Sequence, residues 1–170
     1  MLTQQHLKEI LRYEPLTGKF YWRRTSSSRF KVGQEAAGSK GGSGKAYICI
    51  GLEGQKYLAH RLAWLYMTGA WPQNDIDHIN GEKSNNRWLN LRDVTRTVNM
   101  QNLRGPTRSN RATKLLGVAR IRAKGLKKIC WAARIRHEGK KVHLGSFDSP
   151  EQAHQAYLVA KRQLHEGCMI

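Results

Sequence analysis

The chain has 170 residues, with 30 Lys and Arg against 12 Asp and Glu, a formal charge of +18 and a pI near 10.3. An excess of that size points to a polyanionic partner, nucleic acid ahead of an anionic membrane surface. Apolar residues at 39% support packed cores and exclude a fully disordered chain, while the longest apolar run, Leu62 to Met67, is far short of the about 20 residues a membrane helix needs. The opening MLTQQHLKEILRY has no apolar leader core. Cys49, Cys130 and Cys168 are spaced neither for a disulfide framework nor for a Cys-x-x-Cys zinc knuckle. A soluble, reduced, cytoplasmic protein is expected, built as one medium domain or two small ones.

In chain order, Thr3 can cap a short helix with Leu7, Ile10 and Leu11 on one face. Pro15 and Gly18 then mark a turn into the strand-like Lys19-Phe-Tyr-Trp-Arg23. Residues 25–45 are rich in Ser, Gly and Lys and show no period. Ala46–Leu52 and Gln55–Ala59 read as a hairpin about Glu53-Gly54. His60 to Met67 reads as a buried helix stopped by Gly69, with Pro72 beyond. At its start, His60 and Arg61 suit either hydrogen bonding at the edge of the core or a phosphate contact.

The chemistry is concentrated in residues 75–102. Ile76, His78 and the Asn80-Gly81 turn signal suggest a short strand running into a tight loop. Asn85, Asn86 and Asn90 crowd that loop, where carboxamides can bond backbone groups and fix an irregular path. Thr95 reads as the cap of a helix through about Leu103 that carries Asn99 and Asn102. Phosphodiester hydrolysis needs a base to activate water and a hard cation to neutralise charge on the phosphate. Histidine titrates near neutrality, and carboxylate and carboxamide oxygens suit Mg²⁺. Asp77, His78 and Asn99 supply that set, although an adjacent Asp-His pair taken alone is also a common hydrogen-bonding pair in loops.

Residues 57–102 resemble the HNH nucleases of the phage and intron-encoded homing type, which have a ββα-metal fold. The resemblance is carried by Tyr57-Leu-Ala-His-Arg-Leu-Ala-Trp64, Asp77-His-Ile-Asn-Gly81, Asn85-Asn-Arg87, Asn90-Leu-Arg92 and Val94-Thr with Asn99-Met-Gln-Asn102. The spacing of His78, Asn90 and Asn99 follows the motif, with Asn in place of the final His found in many members. That departure favours a single hard cation, Mg²⁺ or Mn²⁺, and no structural zinc. The resemblance implies that His78 is the general base, that Asp77 and Asn99 bind the metal, and that Asn90 pins the loop holding His78.

Charge rises toward the C-terminus: residues 1–102 carry a net +7 and residues 103–170 a net +11. Leu103–Lys114 reads as an exposed basic linker, with Arg104, Arg108, Arg111 and Lys114 spaced along it. Leu116–Arg122, Cys130–Arg136 and Lys141–Phe147 alternate like three short antiparallel strands, the last two joined at Glu138-Gly139. Trp131, Ala133 and Ile135 share one face and Arg134 and Arg136 the other, and in the third strand Val142 and Leu144 oppose Lys141 and His143. Ser149-Pro-Glu-Gln152 is a capping box for a helix with Ala153, Ala156, Tyr157, Ala160 and Leu164 at helical spacing, ended by Gly167.

The unit from Leu115 to Gly167 resembles the APETALA-2/ethylene-response-factor DNA-binding domain. Leu116-Gly-Val118, Trp131-Ala-Ala-Arg-Ile-Arg136, Val142-His-Leu-Gly-Ser-Phe147 and the Ala-rich helix carry the likeness. The family reads DNA with its sheet, which implies Arg134, Arg136, Lys141 and His143 as DNA contacts. In the first strand the family's arginines match Ala119 and Ile121, whereas this chain offers Arg120 and Arg122.

The expectation is an α+β protein in three parts. Residues 1–102 form a ββα-metal nuclease domain with a β-rich N-terminal extension, 103–114 a linker, and 115–170 a three-stranded sheet packed on one helix. Its function would be site-specific cleavage of double-stranded DNA, as a monomer, without a membrane or small-molecule cofactor. The alternative is an inactive sequence-specific DNA-binding regulator; the intact Asp77, His78, Asn90 and Asn99 set argues against it. A basic RNA-binding protein would explain the charge but not that spacing.

Overall fold

The computed structural model describes residues 1–25, 29–36, 40–41, 47–103, 105–106, 113–122 and 129–169. Most of the expected 103–114 linker, and parts of the 25–45 segment with the start of the hairpin at Ala46, lie outside the described residues. The chain forms two compact units, Met1–Arg96 and Thr97–Ile170, of mixed helix and small antiparallel sheets. Among the described residues no helix is long and apolar enough to cross a membrane.

In the first unit, helix α1 (Gln4–Ile10) is capped by Thr3, whose Oγ1 accepts from the His6 N–H at 3.3 Å. The hairpin of β1 (Leu11–Glu14) and β2 (Lys19–Trp22) follows, paired from Leu11↔Trp22 to Glu14↔Lys19. A three-stranded sheet comes next, of β3 (Lys40–Gly41), β4 (Tyr47–Leu52) and β5 (Gln55–Leu58). Glu53 and Gly54 both have positive φ, 49° and 79°, the paired left-handed values of a two-residue hairpin turn. Helix α2 (Ala59–Thr68) buries Leu62, Ala63 and Leu65 and ends where Gly69 adopts φ 85° and returns its N–H to Leu65 O. The core unites these elements through Leu7, Leu11, Phe20, Trp22, Ile50, Leu52, Leu62, Ile76 and Leu91. Strand β6 (Asp75–His78) pairs with β7 (Leu91–Val94), from Asp75↔Val94 to His78↔Leu91. Between them a loop and a short 3-10 turn, Trp88–Asn90, carry the asparagines. Helix α3 (Arg96–Gln101) opens at the division between the units.

In the second unit the sheet order is β10 (Lys140–Phe147), β9 (Ile129–His137), β8 (Val118–Arg122). Helix α4 (Pro150–Leu164) is capped by Ser149, which accepts from the Gln152 N–H at 3.2 Å, and has proline in its first turn. Val118, Ala133, Ile135, Ala153, Tyr157 and Ala160 make its core. Two expectations need correction. The helix ends at Leu164 with His165 as its cap, and His165 Nε2 bonds the Arg136 carbonyl, so Gly167 lies beyond the helix end. Gly167 instead lies where a Cβ would come 2.2 Å from Val98 O. Val142 pairs with Ile135 on the helix side but remains 38% exposed, because β10 is an edge strand and α4 covers its centre through Leu144.

Candidate active site

The site is built on the β6–β7 hairpin and its loop. His78 ends β6, 4% exposed, and Asp77 beside it is 6% exposed. The loop between the strands is held by asparagine side chains, as a segment rich in short carboxamides permits. Asn90 Oδ1 accepts from the Asn80 N–H at 2.9 Å, and Asn90 Nδ2 donates to the Asn85 carbonyl at 2.7 Å. The Asn90 carbonyl also takes the Ile79 N–H at 2.9 Å. One residue thus joins both ends of the loop that follows His78. Asn80 Oδ1 receives the Glu82 N–H and Asn85 Oδ1 the Arg87 N–H, closing two local turns.

Asn86 is the partner of the histidine ring: its Oδ1 lies 3.1 Å from His78 Nε2. An amide oxygen only accepts, so Nε2 carries the ring proton and Nδ1 the lone pair in the neutral imidazole. Burial lowers the His78 pKa; the Asn86 bond and the Asp77 charge act the other way, and Lys83 adds to the lowering. The net direction favours the neutral ring at physiological pH, the form a general base requires.

Asp77 is held by an ion pair that its partner strand supplies. Asp77↔Arg92 is a cross-strand pair, and both Nε and Nη2 of Arg92 donate to Asp77 Oδ2, at 2.9 and 2.7 Å. Asp93, the next residue, accepts the Gln73 and Asn74 N–H groups at 3.1 Å each, fixing the approach to β6.

The N-terminal hairpin braces the asparagine loop from outside the motif. Tyr13 OH donates to the Asn86 carbonyl at 2.6 Å, and Trp88 N–H donates to Pro15 O at 3.0 Å. Burial pushes the Tyr13 phenol well above its ordinary value, so it remains a donor. Gly18, at φ 74°, lies so close that a Cβ there would be 2.4 Å from Arg87 N and from the Asn86 carbonyl carbon. His60, read from sequence as either a core-edge or a phosphate-contacting residue, is 5% exposed with its ring 5.1 Å from that of His78. Burial, with repulsion from His78 and Arg61, pushes the His60 pKa down to about 3.

Asp77, His78 and Asn90 therefore meet in one hairpin, while Asn99 is carried by α3 in the second unit. Arg92, Asn86 as the ring partner and Tyr13 have no role that the sequence assigns. Only Arg92 had a usable cue: pairing the two strands outward from the Asn loop sets it opposite Asp77.

In the second unit, residues directly opposite in the ladder share a face. Arg134 pairs with His143 and Arg136 with Lys141, and all four are exposed on the face away from α4. Ala119↔Ala132 and Ile121↔Cys130 complete that face. Arg120 pairs with Trp131 and Arg122 with Ile129, so the two first-strand arginines stand on the opposite face, with the α4 side of the sheet.

Residues 57–101 match the family model described as HNH endonuclease. No curated protein and no solved structure matches the chain. The match spans the β5–α2 junction, the Asp77-His78 strand, the asparagine loop and α3. The match at residues 57–101 supports an HNH nuclease acting on DNA.

Proposed function

We propose that the protein is a site-specific DNA endonuclease of the homing type. In this reading the HNH segment is a ββα-metal nuclease that hydrolyses phosphodiester bonds, and the C-terminal sheet, similar to the APETALA-2/ethylene-response-factor domain, chooses the sequence. The observation that carries it is the buried His78, its Nε2 tied to Asn86, beside Asp77 in the segment that matches HNH endonucleases.

The donor chemistry suits one hard divalent cation, Mg²⁺ or Mn²⁺. In this reading the ligands are the Asp77 carboxylate, oriented by Arg92, and the Asn99 carboxamide oxygen. When bound, such an ion supplies charge neutralisation at the scissile phosphate and the departing 3′ oxygen. His78 Nδ1 takes a proton from the attacking water, while Asn86 keeps Nε2 protonated and the ring in place. Asn90 holds the loop so that the base does not drift. Arg92 orients the Asp77 carboxylate and adds positive charge near the phosphate. Arg134, Arg136 and Lys141 form, with His143, one exposed polar patch suited to the major groove, and Arg120 and Arg122 on the other face suit phosphate contacts.

The test is cleavage of double-stranded DNA by the wild-type protein with Mg²⁺, with Mn²⁺ and with chelator. Metal-dependent nicking or cutting at defined positions is expected. Tight sequence-specific binding with no cleavage under any of these conditions would contradict the endonuclease and favour a DNA-binding regulator.

A further inference from the structure

Three rings from separate elements of the first unit meet at the candidate base. Tyr47 opens β4, His60 stands in the first turn of α2, and His78 ends β6. The His60 and His78 rings are 5.1 Å apart at 82°, an edge-to-face contact. Tyr47 lies 5.1 Å from His60 and 6.0 Å from His78, tilted at 53° and 44°. Lys83 Nζ stands 5.1 Å over the Tyr47 ring on the outer side. Stability alone gives little reason for an imidazole at position 60: its Nδ1 is buried with no hydrogen-bond partner among the described residues, a feature rare in cores.

An imidazole turns easily about its second side-chain torsion, which is broad and shallow. A general base must aim one lone pair at one water, and a misaimed group loses most of its effect. The Asn86 bond fixes one edge of His78, and the Tyr47 and His60 rings packed against it bear on the direction of the rest of the imidazole. We propose that Tyr47 and His60, in contact with each other, are positioning residues that pack together against the His78 ring and stop it turning, so that Nδ1 keeps one direction through the catalytic cycle. The inference rests on His78 being the base. Neither clamp residue touches substrate; each acts through His78.

The test uses the full-length chain and the substitutions His60→Leu, His60→Phe, Tyr47→Leu and Tyr47→Phe. Leucine keeps apolar volume without a ring, and phenylalanine restores a ring. Single-turnover plasmid cleavage with Mg²⁺ is expected to slow about 10- to 100-fold in each leucine variant, with DNA affinity within about twofold of wild type. The phenylalanine variants should recover to within about fivefold. In the metal-free protein, the order parameter of the His78 Cε1–Hε1 bond should fall in the leucine variants and stay near wild type in the phenylalanine ones. Wild-type rates in both leucine variants, or phenylalanine variants as slow as leucine, would overturn the clamp. If His78→Ala cleaves as fast as wild type, the assignment of the base fails instead, and the order parameter still decides whether the two rings hold His78.

Discussion

Gly18→Ala probes whether the N-terminal hairpin is part of the catalytic apparatus, although it lies outside the HNH match. Gly18 has φ 74°, where a Cβ adds about 1–2 kcal/mol of strain. The new methyl would also sit 2.4 Å from Arg87 N and the Asn86 carbonyl carbon and 2.8 Å from Asn86 O, about 1 Å inside ordinary contact. All three are backbone atoms, so a side-chain rotation cannot relieve the clash, and overpacking of this kind costs about 1–3 kcal/mol. The sum, about 2–5 kcal/mol, should lower the melting temperature of the first unit by about 10 °C or more. Relief requires the Asn86–Arg87 backbone to retreat, which stretches the Tyr13–Asn86 bond of 2.6 Å and the His78–Asn86 bond of 3.1 Å. Displacement of a base by about 1 Å can lower the rate about 100-fold. Calorimetry and single-turnover cleavage well below the new melting temperature separate the two effects. A Gly18→Ala protein that melts and cleaves like wild type would refute the bracing of the loop. A protein that is destabilised yet cleaves normally would refute the link from the hairpin to His78.

Further outcomes follow from the same contacts. Arg92→Met leaves the nearly buried Asp77 carboxylate without its guanidinium and should destabilise the metal-free protein by about 3–5 kcal/mol; Mg²⁺ should restore part of that loss in thermal unfolding, and no metal effect would argue against Asp77 as a ligand. His60 has a folded pKa near 3 against an ordinary 6.5, so its contribution to stability is complete above about pH 6.5. As pH falls toward 3 the unfolded chain takes the proton first, and stability should drop by about 1.4 kcal/mol per pH unit. Chemical denaturation between pH 7 and 4.5 should show at least that slope, and His60→Phe should reduce it, leaving the part due to His78; an unchanged slope would contradict the assignment. Arg134→Ala should weaken binding and relax preference at one or two base positions, whereas Arg120→Ala should weaken all sequences alike and reduce the salt dependence by about one ion. Selection from randomised DNA at two salt concentrations distinguishes them, and loss of base preference in Arg120→Ala would reverse the assignment of faces.

What the sequence disclosed well was local. Thr3, Ser149, Gly69 and the Glu53-Gly54 and Glu138-Gly139 turns act on neighbours within a few residues, so their effects follow from backbone chemistry alone. The Asp77-His78 strand and the asparagine loop were also legible, because the motif is contiguous. The contacts around the base were not. Asn86 and Asn90 are chemically alike, and only the folded loop decides that one bonds the ring while the other ties the backbone. Tyr13 and Gly18 reach the loop across more than sixty residues, Tyr47 comes from an element with no sequence pattern linking it to His78, and His60 lies in the resembling segment but with no role that the motif assigns. In the C-terminal sheet a one-residue change of position in β8 exchanges faces, so composition alone could not place Arg120 and Arg122. The exposure of Val142 likewise depends on where α4 stops covering the edge strand.

The central claim is that His78 is the base of a metal-dependent phosphodiester hydrolysis. Wild type and His78→Ala should be compared on supercoiled plasmid with Mg²⁺ at saturating protein, with DNA affinity measured alongside. Loss of a general base should slow cleavage by about 100- to 10,000-fold while binding stays within a few-fold of wild type. Equal cleavage by the two proteins would contradict the account.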